Sequence, residues 1–413
     1  MKDLLMNKYV FFTFNDFSKY GGGVIRMYGI LNSLAELGEE VTLISNATNY
    51  ENFHFKIKHI NLNYQFSKKQ KRFFQFCIGI LPHWINKFLF KKHLRAFQRL
   101  NLNESNIIFF EYLDNSFGYL LRQENILSNY IDDIHGLAVL EFKYKKYRGI
   151  KKLINNIKAY VAKKHDKKVY KNAKKLIAVS DEMKTYLSKF YKIEENKICV
   201  LRDGINESLC NQKIDQELLD KLTKQYKNDD SKIVLFAGNF KDLGGVDDLV
   251  KAFLKVLKNR KDVKLLLIGD GEHYDWIKNL VEKEKLEDKI ILLGRVPYNK
   301  LRTYQEIADV IICPDKDHPY SHMVPHIKYY DSLISGKPVI NGSFDVIKNI
   351  NQNEELSLMF VPSNIEDLSQ KIIYAIENNK KLKEKYKHVK ERICKEFTYK
   401  KFVENFLKSC KGL

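Results

Sequence analysis

Three features of the sequence predict two doubly wound α/β domains, each built on a parallel sheet. Short β-branched or aromatic runs alternate with longer helical patterns, the runs are almost continuously apolar, and the whole series occurs twice in 413 residues. Strands covered by helices on both faces lose the polar half of an alternating pattern. Strands that alternate with crossover helices wind into a Rossmann-like sheet. At roughly 100–200 residues per domain the length suits two or three domains, and a hydrophobic fraction of 44% supplies their cores.

The first series opens with a predicted strand over 9–14 (YVFFTF). A helix over 23–37 follows, with Ile25, Tyr28, Leu31, Leu34 and Leu37 at helical spacing and Gly38 as its stop. Further strands are predicted at 41–45, 107–112, 176–179 and 198–201, and a strand is read as ending at Ile134. The second series places strands at 233–237, 263–268, 290–293, 310–313 and 338–340, with helices over 246–257 and 274–285 between them. The boundary falls near Asn206–Ile214, giving domains 1–208 and 209–396, with a terminal helix about 397–413 expected to pack back on the first. Stretches 365–378 and 380–396 read as amphipathic cover, with Ser363 and Glu366 forming a capping box.

Composition narrows the function. Scarce Pro (7) and Gly (19) exclude collagen-like and largely disordered chains. No signal peptide is read in the first eight residues, and no run of 18 apolar residues exists to span a bilayer. Six dispersed cysteines without a CxxC pair fit a reducing cytoplasm, with neither a disulfide framework nor a zinc site. The net charge is +20, of which +15 falls in residues 1–210 (35 basic, 20 acidic). An anionic partner is therefore expected for the first half: nucleic acid, a membrane surface or a phosphorylated substrate.

Several motifs then line up in order. Gly21-Gly22-Gly23-Val24-Ile25-Arg26 precedes Leu37-Gly38-Glu39-Glu40-Val41-Thr42-Leu43-Ile44, and Ala178-Val179-Ser180-Asp181-Glu182 precedes Val200-Leu201-Arg202-Asp203-Gly204-Ile205-Asn206. Phe236-Ala237-Gly238, Gly245-Val246-Asp247, Leu267-Ile268-Gly269-Asp270-Gly271 and Ala308-Asp309-Val310-Ile311-Ile312-Cys313-Pro314 follow. Pro325-His326-Ile327-Lys328-Tyr329-Tyr330-Asp331 then runs into Gly336-Lys337-Pro338. Together, over roughly 330 residues, these resemble the family-4 retaining glycosyltransferases of the GT-B fold, in which two Rossmann-like domains face a cleft.

The resemblance implies a hexosyltransferase-type enzyme. It would move a sugar from a nucleoside-diphosphate-sugar to a glycan or lipid-linked acceptor in bacterial surface polysaccharide biosynthesis, with no cofactor and no metal. It implies an acceptor and phosphate loop at Gly21, Gly22 and Gly23, where exposed N–H groups at a helix start favour anions. It puts His135, after Asp132-Asp133-Ile134, beside the reacting sugar as the catalytic candidate. The family grips the donor diphosphate with an Arg and a Lys. The matching positions here are Asn239 and Gly244, so Lys241 and the helix beginning after Gly245 are the expected substitutes, with Arg295 a further candidate. Of the family's paired glutamates, the second aligns with Asp331, a candidate for the ribose hydroxyls. The first falls on Met323. Lys328 belongs to a P-x-K-x-x-E-Y-like stretch, and backbone groups of the Ser321–Pro325 loop, Met323, Val324 and Pro325 among them, are expected to meet the sugar and phosphates. His318, His322 and His326 recur every four residues, but Pro319 and Pro325 argue against the helix that would make them a metal face.

Two acid-poor stretches concentrate the charge. Eleven Lys or Arg lie between Glu51 and Glu104 with no acid among them, interleaved with Phe73, Phe74, Phe76, Trp84, Phe88, Phe90 and Phe97. Fourteen more lie between Lys143 and Lys175 against the single acid Asp166. This pattern suits an anionic membrane surface, and hence a cytoplasmic protein peripheral to the inner face of the plasma membrane. It also suits a solvated basic face with its aromatics in the core. Two rival functions stay open. One is a non-catalytic GT-B-like subunit, motivated by Asn239, Gly244 and Met323. The other is a nucleic-acid-binding protein, against which no DNA or RNA module is readable.

Overall fold

The computed structural model describes the chain outside residues 1–8, 16, 18–20, 46–52, 55, 63–67, 103–106, 111, 145–147, 228–230 and 411–413, and without the side chains of Lys68, Lys71, Arg72, Gln75, Phe76, Tyr112 and Tyr144. The chain divides into two compact units, one of residues 1–203 with 399–413 and one of residues 204–398.

In the first unit the described strands are β1 (Tyr9–Thr13), β2 (Val41–Ser45), β3 (Lys58–Asn61), β4 (Ile107–Phe109), β5 (Tyr130–Ile134), β6 (Lys175–Ala178) and β7 (Ile198–Val200). They form a parallel sheet in the order β3-β2-β1-β4-β5-β6-β7. The order reverses between β1 and β4, which makes the carboxyl ends of those strands the place for a ligand. β1, β2, β4 and β5 are buried along their whole length, as strands covered on both faces must be. The helix Gly22–Glu36 ends where Gly38 takes a φ of +86°, the left-handed stop its sequence announces. The polar edge strand β3 (KHIN) carries no apolar run and was not anticipated.

The second unit repeats the scheme with β8 (Lys232–Ala237), β9 (Val263–Ile268), β10 (Ile290–Gly294), β11 (Val310–Cys313), β12 (Val339–Gly342) and β13 (Leu358–Phe360), in the order β10-β9-β8-β11-β12-β13. All described pairs are parallel. Here the reversal lies between β8 and β11. Its core is one continuous apolar cluster running from Ile205 to Ile393. The short β13 was missed. The expected helix over 380–396 is two helices, Asn379–Lys385 and Val389–Glu396, and the break lets Tyr386 and Val389 both bury. The helix Ile365–Glu377 is capped by Asn364, whose side chain accepts the Asp367 N–H, and not by Ser363. Ser363 Oγ instead accepts the Asp317 N–H at 2.9 Å.

The helix Tyr399–Ser409 packs on Gly22–Glu36. Gly29 makes room for it, since a Cβ there would collide with the Tyr399 ring. The packing also corrects the reading of the cysteines. Four of the six form two bonds, Cys199–Cys410 in the first unit and Cys210–Cys394 in the second, while Cys77 and Cys313 stay free and buried. The partners are 211 and 184 residues apart in sequence, so no local spacing betrays them.

Beneath the end of β5, Arg26 is fully buried and spends its donors on four acceptors. Nε and Nη2 clamp Asp133 at 2.8 and 2.7 Å, Nη1 reaches Asp203 at 2.9 Å, and Nη2 also reaches the Leu201 carbonyl at 3.0 Å. Burial opposes the charge of Arg26, but Asp133 and Asp203 outweigh it and raise its pKa.

Replacing Arg26 by Met should destabilise the chain by about 3–5 kcal/mol, because two buried carboxylates lose their cation. The triple change R26M/D133N/D203N should recover most of that. Urea midpoints of the two variants measure it; a cost for R26M below about 1 kcal/mol would show the cluster to be dispensable. Peptide mapping without reductant should link 199 to 410 and 210 to 394. Serine at Cys199 or Cys210 should lower stability of the oxidised chain by about 2–4 kcal/mol; recovery of all six residues as free thiols would refute both pairings.

Candidate functional site

Each unit gathers its candidate residues at the carboxyl ends of its own strands. In the first, Gly21 is the extended N-cap of the Gly22–Glu36 helix and Gly21 and Gly22 are exposed. The first turn of a helix has no internal acceptors for its N–H groups, so this end favours an anion. His135 follows the last residue of β5. Its Nδ1 lies 3.4 Å from Asp133 Oδ2. Asp133 is held down by Arg26, and although burial works to raise its pKa, Arg26 and His135 lower it. An ionised Asp133 beside Nδ1 favours the proton on that nitrogen, leaving Nε2 to accept from a hydroxyl.

Asp133 and Arg26 are functional candidates the sequence reading passed over. Two signals were present. Arg26 is the lone charge in the apolar run 24–31, and Asp132-Asp133 are consecutive acids inside a strand. Their side chains point to opposite faces of the sheet. Asp133 meets Arg26, whereas Asp132 has no hydrogen-bond partner among the described residues, and its burial raises its pKa well above the ordinary value.

The second unit builds its site where the sheet order reverses. Gly245 has φ +66°, and a Cβ on it would collide with the Pro314 carbonyl at the end of β11. Only glycine lets the start of the Val246–Asn259 helix lie this close to the β11 loop. Gly244 is similarly tight against the Asn239 carbonyl. Asn239 is exposed, with its Oδ1 2.7 Å from where a Cβ on Gly271 would lie.

The lysines around these loops differ in what they have left to offer. Lys316 donates to Asp242 at 2.8 Å and to Asp247 at 2.9 Å. Burial opposes its charge, but those two bonds raise its pKa. Asp242, Asp247 and His273 are the grouping with metal-ligand spacing among the described residues, and the Lys316 ammonium already supplies a cation to both carboxylates. Lys328 donates to Asp315 at 2.7 Å, its Nζ lies 5.3 Å above the Phe236 ring, and its Cδ stands 3.6 Å from where a Cβ on Gly238 would be. His326 shares the same Asp315 oxygen at 2.8 Å. Asp315 is buried, yet His326 and Lys328 hold its pKa down to about 2. An ammonium has three donors, and Asp315 takes one from Lys328. Lys241 is exposed and makes no ion pair among the described residues. Arg295 is exposed and 3.3 Å from Asp270.

Other predicted site residues are less open. Met323, Val324 and Pro325 are buried in a turn whose 323 and 324 N–H groups both reach the Tyr320 carbonyl. Asp331 is buried, and both its oxygens accept from the Tyr298 hydroxyl at 2.9 and 3.0 Å. The structure therefore brings Lys328, Asn239, Gly244 and Gly245 together and leaves Asp331 in the wall behind Tyr298. The three histidines go to separate partners: His318 Nδ1 to the Tyr320 N–H, His322 to Asp317 and Asp345, His326 to Asp315. Lys316 and Asp315 went unread. Their signal was position, one and two residues past Pro314, where the reversal gathers loops.

Burial pushes the Asp331 carboxyl up to about 7 from 3.8, against the Tyr298 bond that lowers it. Between those values the unfolded chain sheds a proton that the folded chain keeps. Stability contributed here is full below about pH 4 and falls until about pH 7, by at most about 1.4 kcal/mol per unit. Asp331→Asn should flatten that fall, gaining on the parent chain between pH 5 and pH 8. Equal stability differences at both pH values would unlink Asp331.

Similarity to known proteins agrees with this architecture. The pattern described as Glycosyltransferase Family 4 matches residues 20–209, and that described as Glycosyl transferases group 1 matches residues 220–393. An uncharacterized glycosyltransferase of Methanocaldococcus jannaschii is 25% identical over 195 residues, covering 47% of this chain and 48% of that protein. The alpha-monoglucosyldiacylglycerol synthase of Streptococcus pneumoniae is 25% identical over 161 residues, 39% of this chain and 34% of that protein. The chain thus spans half or less of the length of these two relatives. HepE of Anabaena, solved with UDP and glucose, superimposes with a TM-score of 0.70 at 15% identity, covering 98% of this chain and 100% of that one. With both halves matched and two parallel doubly wound sheets, the chain belongs to the family-4, group-1 glycosyltransferases of the GT-B fold.

Proposed function

We propose that the chain is a retaining glycosyltransferase that moves a sugar from a nucleoside-diphosphate-sugar to a glycan or lipid-linked acceptor in bacterial surface polysaccharide biosynthesis. The observation that carries this is the arrangement at the β8–β11 reversal, where Lys241 and Lys328 keep free donors beside the start of the Val246–Asn259 helix. As the bond from the anomeric carbon to the diphosphate breaks, negative charge grows on the leaving oxygens. Preset cations and helix N–H groups stabilise that charge without reorganising. Lys328 and Lys241 take the part that the family gives to the Arg and Lys missing at Asn239 and Gly244. Lys316, saturated by Asp242 and Asp247, organises the loop.

In the same reading the acceptor hydroxyl attacks the anomeric carbon from the face the diphosphate leaves. Its proton passes to a leaving phosphate oxygen, so configuration is retained without a covalent nucleophile. His135, with Nδ1 toward Asp133, offers Nε2 to a hydroxyl of the reacting sugar. The UDP and glucose in HepE support a uridine nucleotide donor. The name of the streptococcal synthase supports a lipid acceptor and with it a protein working at a membrane surface. The two cysteine bonds weigh against a reducing compartment.

The test is turnover of UDP-, GDP- and CMP-sugars with native lipid extracts as acceptor, the product's anomeric configuration being read by NMR. Lys328→Ala and Lys241→Ala should each raise the donor KM about 10-fold or more, the loss of one charge-assisted bond. His135→Ala should lower kcat with the fold intact. Inversion at the anomeric carbon would overturn the mechanism. Silence across the panel would favour the non-catalytic subunit, and tight binding of random RNA or DNA without donor binding would favour the nucleic-acid reading.

A further inference from the structure

A helix that covers a sheet turns its apolar side inward and its polar side out. The helix Gly149–Asn172 departs from this. Ile150, Leu153, Ile154, Ile157 and Tyr160 lie between 45% and 78% exposed. Their spacing puts them on one stripe of the helix. Its buried positions include Asn155 and Asp166. Ala159, Val169 and Tyr170 are buried too and serve the core, yet over residues 150–160 the large apolar side chains lie outside, which a solvated cover helix avoids.

A second exposed set stands on the helices Lys68–Ile80 and His83–Leu89. It comprises Phe73, Ile80, Trp84 and Phe88, the last two 71% and 73% exposed. The Lys68–Ile80 helix packs against Gly149–Asn172, with the place of a Cβ on Gly79 3.7 Å from the His165 ring. Both pack on the helix Tyr112–Gln123, where Ser116 Oγ meets His165 Nε2 at 2.8 Å. The two sets therefore sit on adjoining helices of one unit. Exposed cations surround them: Lys69, Lys91, Lys92 and Arg95 beside the aromatic set, Lys151 and Lys152 on the first turn of the helix that carries the aliphatic stripe. Asp166, the one acid between Lys143 and Lys175, is buried.

We infer that this face of the first unit is a docking surface for an anionic lipid bilayer, with the aliphatic stripe and Trp84 and Phe88 entering the headgroup boundary. Three arguments select that occupant. Single exposed apolar residues are ordinary, but nine on three neighbouring helices mark an interaction site. A second copy of this face would bring its unpaired cations against the same cations. A nucleic acid would use the charge but gain little from isoleucine and leucine, which do not stack on bases. Among the described residues no helix is long and apolar enough to cross a membrane, so the association is interfacial. The inference rests on the proposed function only for the sense of meeting a lipid-linked acceptor there; the docking is measured without turnover.

The experiment is flotation of the full chain with phosphatidylcholine vesicles, with and without phosphatidylglycerol, at low and high salt. The chain has two tryptophans, Trp84 and Trp276, so in a Trp276→Phe background the emission reports Trp84. Flotation should require phosphatidylglycerol, weaken with salt and shift Trp84 emission to the blue. I154S/I157S should weaken vesicle binding about 10-fold or more while leaving the melting curve unchanged, because both positions are exposed. No flotation at low salt would overturn the inference, as would binding indifferent to I154S/I157S, or a dimer that the same change dissolves. Donor hydrolysis measured without vesicles keeps the outcomes apart: hydrolysis without docking refutes the surface alone, and docking without hydrolysis refutes the enzyme reading alone.

Discussion

The buried guanidinium of Arg26 ties together four segments that are distant in sequence. It joins the Gly22–Glu36 helix to the end of β5 through Asp133, and to the segment after β7 through Asp203 and the Leu201 carbonyl. Asp203 in turn accepts the Tyr399 hydroxyl at 3.3 Å, which brings in the C-terminal helix. Removing three charges from water is expensive, and such a cluster earns little net stability over well-packed apolar residues. What it gives is specificity: a planar fork accepts carboxylates in one geometry only. The C-terminal helix must return to this spot, and Gly29 and the Cys199–Cys410 bond act at the same junction. The cluster also reaches the catalytic candidate. His135 has an anion beside Nδ1 because Arg26, together with His135 itself, holds the Asp133 pKa down against burial.

The second unit meets the same need, loops held at strand ends, with backbone proximity in place of a buried cation. Gly245 against Pro314 and Gly269 against Gly238 bring main chains closer than any side chain permits. The acids and lysines then sort themselves by saturation. Asp242 and Asp247 spend Lys316, and Asp315 is spent on His326 and Lys328. A count of positive residues would overstate the field at this site, because each buried ammonium carries its own carboxylate. The useful quantity is the number of donors left after internal bonds are made. By that measure Lys328 and Lys241 are available, and Lys316 is a strut.

The strands with long apolar runs were readable because burial on both faces leaves nothing polar to confuse the period; β8, β9 and β11 agree with their predicted spans within a residue. β3 and β13 were not, being a polar edge strand and a three-residue one. Local placement was readable where backbone geometry demands a residue type, as at Gly245, or where a residue follows a strand end, as at His135. It was not readable where function depends on pairing. Nothing local shows that Asp331 is covered by Tyr298, 33 residues earlier, or that Lys316 is consumed by two aspartates about 70 residues upstream. The cysteines failed for the same reason.

Pairing also explains how the excess charge divides. Where acids are plentiful, lysines are drawn into ion pairs and define loop shape, as around the β8–β11 reversal. Between Glu51 and Glu104 the sequence holds no acid, and Lys87 reaches outside the stretch to pair with Glu124 at 2.6 Å. Some aromatics of that stretch, Phe90 and Phe97, went fully into the core, where they pack with Phe117. Others, Trp84 and Phe88, stayed out with the cations. The alternation of basic and aromatic residues is thus two patterns superimposed: a helical period that builds the core, and a residue of exposed apolar groups that the core does not need. Burial separates them where composition does not, and it is the second pattern, set beside exposed cations such as Lys91, Lys92 and Arg95, that carries the proposed docking on an anionic surface.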